Sequence, residues 1–129
     1  MRACPIMEKG QCAPTADFGL YADSRWQGAP WPHEVIDWPD FGMPADADVA
    51  AAQIRSAWDR AVAGELVEVG CMGAIGRTGT ILACMAVLAG VAPGDAVAWV
   101  RANYRPNAVE TEEQRAWVAQ FATRWSADH

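Results

Sequence analysis

The sequence predicts an α/β domain, with a short, mainly parallel central sheet flanked by helices. Three observations carry that expectation. Brief runs rich in β-branched and aromatic residues alternate with segments whose apolar residues recur at a 3.6-residue period. Gly64, Gly90, Pro93 and Pro106 fall where those patterns change. Leu66 to Val69 lies between two helical patterns and is too short and too β-branched for a helix, which is the form of an interior parallel strand.

Residues 1–17 have Pro5, Gly10 and Pro14, mixed polar residues and no sustained period, and are expected to form an irregular lead-in. Phe18 to Ala22 and Glu34 to Trp38 read as two strands on either side of a loop containing Gly28, Pro30 and Pro32. After Pro44, Asp46 or Asp48 can cap a helix whose apolar side is Val49, Ile54, Ala57, Trp58, Ala61 and Val62, ending at Gly64. Leu66 to Val69 then delivers the chain into Gly70 and Cys71. Thr78 to Ala89 is apolar on most sides and predicts a central helix closed by Gly90. Pro93 suits the first turn of a further helix through Val97 and Val100 to Tyr104, which Pro106 stops. Thr111 and Gln114 have capping-box spacing, and Trp117, Val118, Phe121 and Trp125 form the stripe of the last helix.

Composition bounds the function. A length of 129 residues and a hydrophobic share of 52% with seven tryptophans suffice for one core, so residues 1–129 are read as a single domain, monomeric by default. A net charge of -6 with Lys9 as the only lysine leaves no basic stripe for nucleic acid and no cationic cluster for an anionic membrane. The longest apolar stretch, Thr80 to Ala92, is broken by Gly90 and falls short of the roughly 20 residues that cross a bilayer. With no secretory pattern at the N-terminus, the expected compartment is the cytoplasm. There Cys4, Cys12, Cys71 and Cys84 stay reduced. Neither their spacing nor His33 and His129 matches a metal site, so no cofactor is implied.

Chemistry concentrates between Val69 and Thr80. A cysteine ends a strand, and Arg77 follows six residues later at a helix start. Glycines at 70, 73, 76 and 79 let the backbone curl so that successive N–H groups of Met72, Gly73, Ala74, Ile75 and Gly76 meet a phosphate, beside the positive end of the helix. Arg77 adds a permanently charged fork to two phosphate oxygens, and the same field favours a thiolate nucleophile at Cys71. With four Cys and nine Arg, the bare Cys-x5-Arg spacing arises by chance with probability about 0.28. Requiring Gly76, Thr78 and Gly79 lowers this to the order of one in ten thousand, so the extended motif carries weight that the spacing alone does not.

Cys71 through Gly79 resembles the Cys-x5-Arg-Thr/Ser-Gly signature of the protein tyrosine phosphatase superfamily. Trp38-Pro39-Asp40-Phe41-Gly42-Met43-Pro44 is similar to that family's Trp-Pro-Asp loop, 31 positions before Cys71. The segment Ala108 to Gln114 resembles the loop whose Gln helps place the hydrolytic water. The resemblance spans Val35 to Gln114 and implies a compact phosphatase fold and a phosphocysteine intermediate. It implies Cys71 as nucleophile, Arg77 as phosphate clamp and Asp40 as acid and then base. Thr78 would assist the departing sulfur and Gln114 would position water. The implied substrate is a phosphorylated protein, phosphotyrosine first with dual specificity open, or else a small phosphomonoester.

Several residues also have plainer readings. The capping box explains Gln114 as well as water placement does, Cys84 reads as core, and Trp38 reads as a packing anchor for its loop. Gly70 stands where many members of the family have a His that orients the loop. A counterpart of the Lys-Asn-Arg-Tyr loop, which sets pocket depth for phosphotyrosine, is missing. Met72 to Ile75 carry no charge, unlike inositide-directed relatives. The competing classes are a noncatalytic phosphate-binding module and a redox cysteine enzyme. The latter requires a resolving cysteine, Cys4, Cys12 or Cys84, within disulfide range of Cys71.

Overall fold

The structure is a computed structural model that describes residues 2–5, 16–23, 31–39, 43–71, 76–104, 106, 108–109 and 111–124. Its elements are β1 (Arg2–Pro5), β2 (Phe18–Tyr21), β3 (His33–Val35), α1 (Ala47–Val62), β4 (Val67–Cys71), α2 (Gly76–Leu88), a 3-10 turn (Pro93–Asp95), α3 (Ala96–Asn103) and α4 (Glu112–Arg124). The α/β expectation holds: four strands in the order β1-β4-β2-β3 pair in parallel. The central pair, β4 and β2, is buried along its length, as strands covered on both faces must be.

The connection from β3 through α1 carries the chain back across β2 to β4, so the strand order reverses at β2. In open parallel sheets a crevice opens at the carboxyl ends of the strands flanking such a reversal. Cys71 ends β4 there, and Ala22 and Asp23 follow the end of β2 beside it, where Ala22 N donates to Gly70 O at 2.8 Å.

The lead-in contains a strand. Arg2–Pro5 is a strand in register with Glu68 to Cys71, although residues 1–17 were expected to be irregular. Four residues that include a proline carry no readable alternation. An edge position tolerates Pro5, because an edge strand needs to complete a ladder on one side only.

Asp46 is the cap of α1, accepting from Val49 N at 3.1 Å. The helix buries Ala50, Ala51, Ile54 and Ala57, while Val49 and Val62 are 52% and 67% exposed, contrary to the stripe read from sequence. Alanines give α1 its close approach, and the two valines lie to the side of that seam. The predicted helix from Pro93 to Tyr104 is divided, with a 3-10 turn preceding α3. The core joins Leu20, Val67 and Val69 of the sheet to Ile54, Ile81, Met85, Val100, Trp117 and Phe121 of the helices. Trp125 of the expected α4 stripe lies outside the described residues. Among the described residues no helix is long and apolar enough to cross a membrane.

Gly79 shows how tightly α2 is held. A Cβ there would stand 2.7 Å from Ala108 Cβ and 3.0 Å from Val109 N, and neither is the tip of a flexible side chain. Alanine gains about 1 kcal/mol of helix propensity, whereas overpacking costs about 1–3 kcal/mol. We expect Gly79→Ala to lower Tm by several degrees, and a Tm equal to or above native would show that the 108–109 turn is free to retreat.

Candidate active site

β4 places Cys71 at its last position, fully buried. α2 begins at Gly76, two residues earlier than the sequence predicted, so Arg77 and Thr78 occupy its first turn. From there Thr78 Oγ1 donates to Cys71 Sγ at 2.9 Å. A hydroxyl so placed can donate to a sulfur that carries negative charge.

Arg77 is 2% exposed, a position a guanidinium occupies only when its charge is met. Its Nη1 donates to Ala22 O at 3.0 Å, to Trp38 O at 3.0 Å and to Asp23 Oδ2 at 3.2 Å. Asp23 is likewise 2% exposed, so this is a buried ion pair. The arginine thereby ties the end of β2 to the segment that leads into Asp40. Trp38 is buried and its ring packs on Trp117, centroid to centroid 5.5 Å, as the anchor reading expects.

Asp40 itself, and Met72, Gly73, Ala74 and Ile75, lie outside the described residues. Gln114 is buried in the first turn of α4, one turn before Trp117 on the same side, and its backbone N–H donates to Thr111 Oγ1 at 3.0 Å. That is one half of the capping box. The structure therefore gathers Cys71, Arg77 and Thr78 at the carboxyl end of β4, with Trp38 on one flank and the start of α4 reached through Trp117.

Two residues escaped the sequence reading. Asp23 is 54 positions from Arg77, and a single Asp after a strand has no sequence signal that couples it to a distant cation. Arg101 donates from Nε to Ala108 O and from Nη2 to Val109 O, both at 2.9 Å. Val109 has φ 63, and a β-branched residue in that region carries on the order of 1–3 kcal/mol of strain. On the sheet side that holds Gly19 and Glu68, Tyr21 OH donates to Glu68 Oε1 at 2.7 Å and accepts from Trp31 Nε1 at 2.8 Å. Gly19 lies directly under the Tyr21 ring, where any side chain would collide with it.

Cys71 and Cys84 are both free thiols. Cys84 is core, as expected, and burial pushes its thiol well above the ordinary value. Its folded-state value exceeds that of the unfolded chain, so as pH rises past about 9 the unfolded state releases the proton first. Stability then falls by up to about 1.4 kcal/mol per pH unit. We expect Cys84→Ala to flatten the decline of Tm between about pH 9 and 10.5, and an unchanged decline would assign it to other groups. Cys4 is in register with Gly70. Among the described residues no group of three or more His, Cys, Asp or Glu could hold a metal ion.

No protein-family model matches the chain. It is similar to an uncharacterized protein of Methanocaldococcus jannaschii, 36% identical over 101 residues that cover 68% of this chain and 65% of that protein. A second uncharacterized protein of the same organism is 34% identical over 101 residues, 68% of this chain and 60% of its own length. The chain thus spans less than two thirds of these relatives. Among solved structures it is similar to Tk-PTP, a protein tyrosine phosphatase, in its active form, with TM-score 0.68 and 26% identity over 84% of this chain and 80% of that one. A glycine-to-alanine mutant form of Tk-PTP gives TM-score 0.76 and 23% identity, covering 94% of this chain and 86% of that one. The fold is protein tyrosine phosphatase-like.

Proposed function

We propose that the chain hydrolyses phosphomonoesters through a phosphocysteine, with phosphotyrosine in proteins as the preferred substrate class. The observation that carries this reading is the buried Thr78 Oγ1 to Cys71 Sγ hydrogen bond of 2.9 Å at a strand end, beside a buried arginine in the first turn of the following helix. That arrangement suits a nucleophilic sulfur at an anion site better than an inert core thiol. The 26% identity to Tk-PTP over 84% of the chain supports it.

In this mechanism the Cys71 thiolate attacks phosphorus in line while the bond to the ester oxygen breaks, and Asp40 gives that oxygen its proton. Backbone N–H groups from Met72 to Gly76 and the fork of Arg77 hold the three equatorial oxygens, on which charge is spread in the transition state. Water then attacks phosphorus, the S–P bond breaks, and Asp40 takes the proton back. Thr78 steadies the departing thiolate and Gln114 orients the water. The uncharged Met72 to Ile75 segment favours a monophosphate over a polyphosphorylated inositide. The reading assigns the enzyme to the cytoplasm, where free thiols persist, as a monomer without a metal.

The test is hydrolysis of a chromogenic aryl phosphate in the presence of a chelator, native against Asp40→Ala, from pH 4 to 9. Loss of a general acid costs about 10²–10⁴-fold, and the variant is expected to lose the basic limb of the pH profile. Phosphate or vanadate binding without native turnover would instead make the chain a binding module.

A further inference from the structure

We infer that Arg101 is a positioning residue for the second half-reaction, the hydrolysis of the phosphocysteine, which it supports by holding the strained turn at Ala108 and Val109. The inference rests on the phosphatase reading above and extends it to a residue remote from the reacting atoms.

The fork of Arg101 meets two successive carbonyls, those of Ala108 and Val109, each at 2.9 Å. Successive carbonyls of an extended chain point opposite ways, and here Val109 at φ 63 marks the kink at which both meet one donor group. A valine does not hold that conformation unaided. Both residues are buried, and both press on Gly79, where even a Cβ would come within 2.7 Å of Ala108 Cβ. Charge-assisted hydrogen bonds from a planar fork hold such a turn in a way a single ammonium cannot.

What the turn touches decides the step it serves. On one side it abuts Gly79, the neighbour of Thr78, whose hydroxyl donates to Cys71 Sγ. On the other it leads to Thr111, whose Oγ1 accepts from Gln114 N, so it sets the entry of α4 and the place of the buried Gln114 amide. An amide both donates and accepts, which suits it to orient a water. The thiolate must leave and the water must be aligned in the hydrolysis of the intermediate, and both groups hang on this turn. Attack of Cys71 on substrate relies instead on Arg77, which is fixed from the other side by Ala22, Asp23 and Trp38.

The experiment is pre-steady-state release of the aryl alcohol by native, Arg101→Met, Arg101→Lys and the Arg101→Met/Val109→Gly double variant, with Tm recorded for each. Arg101→Met is expected to keep the first-step rate within about threefold while steady-state turnover falls about tenfold, so that a burst of about one alcohol per Cys71 appears. Arg101→Lys should fall between it and native. Glycine tolerates φ 63 without a clamp, so the double variant should regain most of the lost turnover. A loss of folded protein shrinks both phases together and cannot create a burst. If both Arg101 variants lose the two phases in proportion, or the double variant recovers nothing, the inference is overturned while the phosphatase reading stands. If Arg101→Met does not fold, the same burst criterion applied to Arg101→Lys decides. Absence of native turnover removes the phosphatase reading and this inference with it.

Discussion

Cys71→Ser is expected to abolish aryl phosphate hydrolysis, by about a thousandfold or more, while leaving the fold within about 1 kcal/mol of native. A serine hydroxyl stays protonated at neutral pH and is a far poorer nucleophile than a thiolate, so the first step has no attacking group. The fold has little reason to change. The site is buried, Ser is smaller than Cys by a fraction of one methylene, and its Oγ can still accept from Thr78 Oγ1, which now donates to sulfur at 2.9 Å. Steady-state kinetics with a thermal melt and vanadate binding separate the outcomes. A Cys71→Ser protein that melts like native and binds vanadate but does not turn over fits the account. One that retains a tenth of native activity requires a different nucleophile.

The second large effect is on stability. Asp23→Ala removes the carboxylate from a buried pair in which both partners are 2% exposed, and leaves a guanidinium that cannot shed its charge. Breaking one side of such a pair costs about 3–5 kcal/mol, which at this chain length corresponds to a fall in Tm of roughly 10–20 °C. Ala22 O and Trp38 O also accept from Nη1, but a carbonyl brings no negative charge. Asp23→Asn retains an acceptor and should cost less. Activity is expected to fall further than the folded fraction, because Arg77 loses the contact that orients its fork. A Tm within about 3 °C of native for Asp23→Ala would show that water reaches Arg77 and that the pair is weaker than its burial implies.

Most of the architecture was legible because it repeats locally. The apolar run at Val67 and Val69, the period through Ile54 and Ala57, and the stripe of Trp117, Val118 and Phe121 each report a neighbour through the chain's own spacing, and each is buried in the structure. Cys71, Gly76, Arg77 and Thr78 could be grouped for the same reason, since they lie within eight positions of one another. What escaped depends on partners far away in sequence. β1 is a strand only because β4 offers it an edge, Val49 and Val62 are outside because alanines set the seam of α1, and Asp23 has meaning only once Arg77 is folded beside it. Arg101 looked like one more charged residue on a helix until its fork met the carbonyls of a turn whose strain no propensity would predict.

The central claim is a covalent phosphocysteine, and the most direct measurement is to trap it. Native chain mixed with aryl phosphate and quenched in acid within the first turnover should yield a peptide containing Cys71 that carries one added phosphoryl group, absent from Cys71→Ser and from the Cys84 peptide. Brisk turnover with Cys71 unmodified at every quench time, or with the phosphoryl group on another side chain, would contradict the account.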